Sequence, residues 1–185
     1  IPALVDHGTS PPTRVFESGA ILFYLAATFD AFLPKEPAAR AVCRSWLFWQ
    51  MGSAPYLGGG FGHFSASAPE KCEYPINPCA MEVKRQLDVL DRNLAERKFL
   101  GGDEYTIADM ATYPWYGSVV LHNIYDAEVF LDAKSYSNVV RWATEISERP
   151  AVQRGQRVNK AWGPEEERVI ERHNASDLDL DPETS

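Results

Sequence analysis

The chain has little cysteine: Cys43, Cys72 and Cys79 are the three among 185 residues. An odd count at that density builds no disulfide framework, and a chain of this length buries a core without one. A reducing compartment, the cytoplasm, is the expectation. No run approaches the roughly 18 apolar residues that a membrane-spanning helix needs, so no membrane partner is expected. Basic charge is also in deficit, with 18 Lys and Arg against 26 Asp and Glu, which argues against a nucleic-acid partner. The opening Ile1-Pro2-Ala3-Leu4-Val5 has no charged n-region and no long apolar h-region, so it does not read as a signal peptide. It has no Met either, and as a strand-like run it reads as the interior of a folded unit.

What is present is the composition of an ordinary globular protein, 45% hydrophobic and 24% charged. The net charge of -8 is unevenly spread. Residues 164–185 hold eight acids and two bases, have no hydrophobic period, and read as an extended or partly disordered acidic segment. Ahead of it, Ala3–Val5 and Thr13–Phe16 flank a turn-rich stretch and predict a hairpin. A helix follows, with Ser18 as its cap and apolar residues recurring up to Phe29. The prolines of 30–37 mark a linker.

Beyond the linker the period is helical. Ala39, Val42, Cys43, Trp46 and Trp49 define one amphipathic helix, broken at Gly52. Trp46, Phe48 and Trp49 are read as its core stripe. Residues 79–98 define a second, with Val83, Leu87, Leu90 and Leu94 inward and Lys84, Arg85, Asp88, Asp91 and Arg92 largely outward. Thr106-Ile107-Ala108-Asp109 has the spacing of a capping box, in which the hydroxyl accepts from the third helical amide and the carboxylate reaches back to the cap's own amide. It is read as a folding signal that starts a helix over 107–122, with Pro114 a kink. Two shorter helices are predicted over 139–148 and 151–160.

Few positions suggest chemistry. Glu17-Ser18 stands between a strand and a helix, where helix-start amides and a hydroxyl suit a carboxylate and the Glu suits an ammonium, the two groups of an amino-acid end. The alternative is a plain cap beside a solvated acid. Ile1-Pro2 is a candidate cis-proline turn. Gly58–His63 lacks the Gly-Lys-Ser of a phosphate loop and is read as a flexible aromatic loop able to line a pocket. His63, Cys72 and Cys79 lack metal spacing, so no metal is expected. Lys84 and Arg85 read as a solvated face, and Asn174-Ala175-Ser176 as a glycosylation sequon without secretory context.

In order along the chain, residues 1–6, 15–26 and 105–111 resemble the cytosolic glutathione transferase family, and 46–49, 57–64, 102–105, 148–152 and 171–177 are similar to its nu class of disulfide-bond oxidoreductases. The resemblance implies an α+β fold: the second half of a thioredoxin-like domain over residues 1–33, an all-helical domain over 34–163 and an acidic extension over 164–185. It implies a homodimer that binds glutathione or glutathione disulfide as cosubstrate and acts on a small disulfide or electrophile. Ile1 and Pro2 would pair with the cysteinyl part of glutathione, and Glu17 and Ser18 with its γ-glutamyl amine and carboxylate. The ligand's own sulfur would do the chemistry, without a reactive cysteine. The family's residue contacting that sulfur is expected upstream of Ile1, which implies a chain inactive by itself. Met51 and Pro78 stand where nu-class proteins carry Gln and Arg, polar groups able to hold a second glutathione. A non-enzymatic regulator or dimerisation scaffold of the same fold is the other class weighed.

Overall fold

A computed structural model describes residues 2–70 and 73–157. The chain divides into two bodies, Ile1–Ala143 and Thr144–Ser185.

In the first body, strand β1 (Ala3–Asp6) pairs antiparallel with β2 (Thr13–Phe16), Leu4 opposite Val15 and Asp6 opposite Thr13. Side chains alternate across the pleat: Leu4, Asp6, Thr13 and Val15 are half-buried, whereas Val5 and Phe16 face outward. Helix α1 (Ser18–Thr28) follows directly, and Tyr24 OH donates to Asp6 Oδ2 at 2.7 Å, tying the helix to the sheet. That hydrogen bond holds the Asp6 carboxyl below its ordinary range and the Tyr24 phenol above its own.

The linker has a firmer structure than its prolines alone suggest. Phe32 O accepts from Ile107 N at 3.0 Å, and the Glu36 carboxylate caps helix α2 (Pro37–Pro55) by accepting from the amides of Ala38 and Ala39 at 2.9 and 2.6 Å. α2 runs past Gly52 and passes into a π-helical segment, Tyr56–Ser67. The expected loop at Gly58–His63 is therefore ordered as a wide coil. The reason is tertiary. A Cβ on Gly58 would stand 2.7 Å from the Trp115 ring and one on Gly62 2.5 Å from the Tyr125 ring, so the glycines admit aromatic plugs from later in the chain.

Helix α3 (Glu73–Ala95) begins before the expected Cys79, and α4 (Ile107–His122) matches its predicted bounds. The core lies where α2, α3 and α4 meet, with Leu47, Val83, Leu87, Leu90, Leu94 and Val119 buried. Each such side chain contributes about 1.5–3 kcal/mol. Gln86 is buried among them and satisfied on both sides: Tyr116 OH donates to its Oε1 at 2.7 Å, and its Nε2 donates to Glu82 Oε1 at 2.9 Å and Ser53 O at 3.3 Å. Short α5 (Glu128–Leu131) and α6 (Ser137–Ser147) follow.

Two sequence expectations need correction. Phe48 is 72% exposed and so leaves the stripe formed by half-buried Trp46 and Trp49, because it lies two and one residues away from them, off their face of the helix. Asp91 is not on an outward face: its carboxylate accepts from the amides of Asn138 and Val139 at 2.8 and 3.1 Å and from Asn138 Nδ2 at 2.9 Å, capping the start of α6. In the second body, α7 (Pro150–Gln156) starts with Pro150 in its first turn, as a helix accepts proline. The remainder of the expected 151–160 helix, the acidic segment and Asn174 lie outside the described residues. Among the described residues no helix is long and apolar enough to cross a membrane.

The capping box is formed, and Thr106 Oγ1 also accepts from Ala108 N at 3.3 Å. Asp109 does more than cap. Its Oδ1 accepts from Leu100 N and Trp142 Nε1, each at 2.9 Å, and its Oδ2 from Thr106 N and Oγ1 at 3.0 and 3.1 Å. Burial nonetheless holds its carboxyl above the ordinary range. Asp109→Ala strands these buried donors and is expected to cost about 3 kcal/mol or more, read as a lower urea midpoint at unchanged m-value.

Glu82, hydrogen-bonded to Arg85, is depressed to about 2 from 4.5. A depressed carboxylate stabilises the fold above its unfolded value and loses that contribution as pH falls toward its folded one. The stability difference between the protein and Glu82→Gln should therefore shrink between pH 4.5 and about 2, measured by urea titration at stepped pH.

Candidate functional site

The turn from β2 into α1 concentrates features that ordinary helix starts avoid. Glu17 is the N-cap residue, at φ 70° and ψ 126°, a positive φ that a non-glycine residue adopts at a cost of order 1–3 kcal/mol. No side chain caps α1, and no acidic residue stands in its first turn. The expected cap, Ser18, is instead the first helical residue, because the left-handed Glu17 takes the cap position one step earlier. The Ser18 hydroxyl is thus released from capping, and both Glu17 and Ser18 are exposed.

The backbone ladder of α1 begins with Ile21 N donating to Glu17 O at 2.9 Å. The amides of Ser18, Gly19 and Ala20 precede it and lie at the positive end of an 11-residue helix that has no acid in its first turn and no side-chain capping hydrogen bond from Glu17. A carboxylate placed there meets amides and a hydroxyl, and an ammonium beside it meets Glu17.

One neighbour from α2 reaches this turn. Met51 Sδ accepts from Ser18 Oγ at 3.6 Å, and a Cβ on Gly19 would stand 3.0 Å from the same sulfur. Gly19 is buried, and its lack of a side chain is what allows the thioether to rest on the helix start. Sequence reasoning singled out Met51 through family resemblance; no local pattern places it beside Ser18, which is 33 residues away.

The other expected site residues are more scattered. Pro2 precedes β1 and is exposed, and Ile1 lies outside the described residues. The described cis X-Pro bond is Ser10-Pro11. Thr106 and Asp109 are buried and engaged with backbone, as a folding role requires. Cys43 is buried and Cys79 half-buried, both as free thiols, and Cys72 is outside the described residues. Among the described residues no three His, Cys, Asp or Glu side chains gather as metal ligands. A separate cavity of 510 Å³ lies between the linker and the loop before α4, lined by Phe32, Pro34, Lys35, Glu104 and Tyr105 among others.

Comparison with known proteins matches residues 62–150 to the glutathione S-transferase C-terminal domain. The chain is 60% identical over 183 residues to the disulfide-bond oxidoreductase YghU of Escherichia coli, covering 99% of this chain and 64% of that protein. It is 38% identical over 164 residues to the disulfide-bond oxidoreductase YfcG of the same organism, covering 87% of this chain and 72% of that protein. A crystal structure of glutathione transferase YghU from Streptococcus pneumoniae, complexed with glutathione, superposes with a TM-score of 0.83 at 57% identity, covering 85% of this chain and 61% of that one. The chain thus spans somewhat less than two thirds of YghU, and it belongs to the glutathione S-transferase family.

Proposed function

We propose that this protein binds glutathione at the start of α1 and uses the bound thiol in disulfide exchange, as a glutathione-dependent oxidoreductase. The observation that carries the reading is the start of α1, where no side chain caps the first amides and the N-cap residue, Glu17, stands at positive φ. The kinship with disulfide-bond oxidoreductases and with a glutathione-bound structure supports it.

In this reading Ser18 and the first amides of α1 take the γ-glutamyl carboxylate, and Glu17 takes the α-ammonium. The backbone at Ile1-Pro2 pairs with the cysteinyl part. Residues 1–33 form the glutathione-binding unit, 34–163 the helical unit and 164–185 an acidic extension, in a cytoplasmic homodimer. The substrate is a small disulfide, glutathione disulfide included, or a small electrophile. With a disulfide, the glutathione thiolate attacks one sulfur and forms a mixed disulfide as the other leaves as thiolate; a second glutathione thiolate then releases the remaining half and yields glutathione disulfide. The protein's part is to hold and orient the tripeptide, consistent with Cys43 being buried.

Calorimetric titration tests this. Glutathione is expected to bind saturably, and Glu17→Ala with Ser18→Ala to weaken binding by roughly ten- to a hundredfold, the value of one or two charge-assisted hydrogen bonds. Ser18→Ala by itself should leave stability within about 0.5 kcal/mol, because the hydroxyl caps nothing. Unaltered affinity in the double variant overturns the site assignment. Binding without reduction of hydroxyethyl disulfide by glutathione favours the non-enzymatic class.

A further inference from the structure

We propose that Met51 is an oxidisable site that closes the start of α1 to its ligand, a proposal that rests on the glutathione reading above. The thioether is placed for it. Met51 Sδ lies 3.6 Å from Ser18 Oγ and would lie 3.0 Å from a Cβ on Gly19, so it rests against the first turn of α1, whose amides precede the helix's backbone ladder. Met51 is half-buried, within reach of an oxidant as small as hydrogen peroxide.

A thioether is a weak acceptor, so in the reduced protein the Ser18 hydroxyl is released to a carboxylate at little cost. Peroxide changes this. The sulfur lone pair attacks one peroxide oxygen; the S–O bond forms, the O–O bond breaks, and the second oxygen leaves as water after proton transfer. Sulfur loses two electrons and peroxide gains them. The sulfoxide oxygen is a strong, polar acceptor. Generated within hydrogen-bonding range of Ser18, it competes for the donors that a γ-glutamyl carboxylate needs, at the high effective concentration of a tethered group. Methionine sulfoxide reductases reverse the chemistry with a dithiol as reductant, which becomes a disulfide as the oxygen leaves as water, so the site resets.

The contact also separates Met51 from the other methionines. Met81, on α3, is 67% exposed and registers the peroxide dose, whereas the Ser18 contact belongs to Met51.

The test uses the whole chain and γ-glutamyl-2-aminobutyryl-glycine, a glutathione analogue with no sulfur for peroxide to consume. Peptide mapping follows the gain of one oxygen at each methionine, and calorimetry follows affinity. Affinity is expected to fall roughly tenfold in proportion to oxidation at Met51, the loss of one charge-assisted hydrogen bond, and to recover after treatment with methionine sulfoxide reductases. Met51→Leu should keep its own affinity through peroxide treatment, and Met81→Leu should respond as the parent does. The saturating sulfur-free analogue should slow oxidation at Met51 and not at Met81, a readout that needs no variant. Unchanged affinity with Met51 fully oxidised, equal peroxide sensitivity in Met51→Leu, or an unoxidised Met51 at a dose that converts Met81 overturns the proposal. Absence of binding before any peroxide overturns the glutathione reading itself.

Discussion

The carboxylate of Asp109 is the point on which the helical architecture turns. It is fully buried and receives four hydrogen bonds, from the backbone before α4, the cap residue Thr106 and the indole of Trp142 on α6. Three separate stretches of chain thereby share one acceptor. Burial works against its charge and the donors work for it, so the position is tolerable only while every donor is in place. The arrangement specifies where α4 starts, and α4 in turn supplies the Tyr116 hydroxyl for Gln86 and the Trp115 ring over Gly58. Those contacts lock α2 to α3 and hold the π-helical segment.

The same logic extends to the hairpin and α1. Asp6 anchors Tyr24, which fixes α1 against the hairpin, and Met51 on α2 rests against the start of α1. The candidate site is thus held from two sides by short, named contacts. It is presented by a strand end and a helix start rather than by a long loop, which is how a site is held to within a fraction of an ångström.

Local patterns were legible in the sequence, and long-range ones were not. The hairpin, the capping box and the bounds of α4 follow from alternation and i, i+3 chemistry, which neighbouring residues carry by themselves. The family could be read from residues 1–6, 15–26 and 105–111, and the comparisons bear it out. Asp91 was misread as outward because its partners are 47 and 48 residues away. Gly58 and Gly62 were misread as loop residues because glycine reports only the absence of a side chain, not the ring that fills the space. The shift of the α1 cap from Ser18 to Glu17 was hidden for another reason: serine is the statistical cap, and nothing in a sequence announces a glutamate at positive φ.

That backbone angle has a consequence for selection. Glycine would adopt it with less strain, and relieving such strain is a common route to added stability. Glu17 therefore marks a place where the backbone carries strain that another residue type would relieve. A library of variants screened only for heat resistance is expected to admit glycine at this position, and what it admits would report where the backbone carries strain.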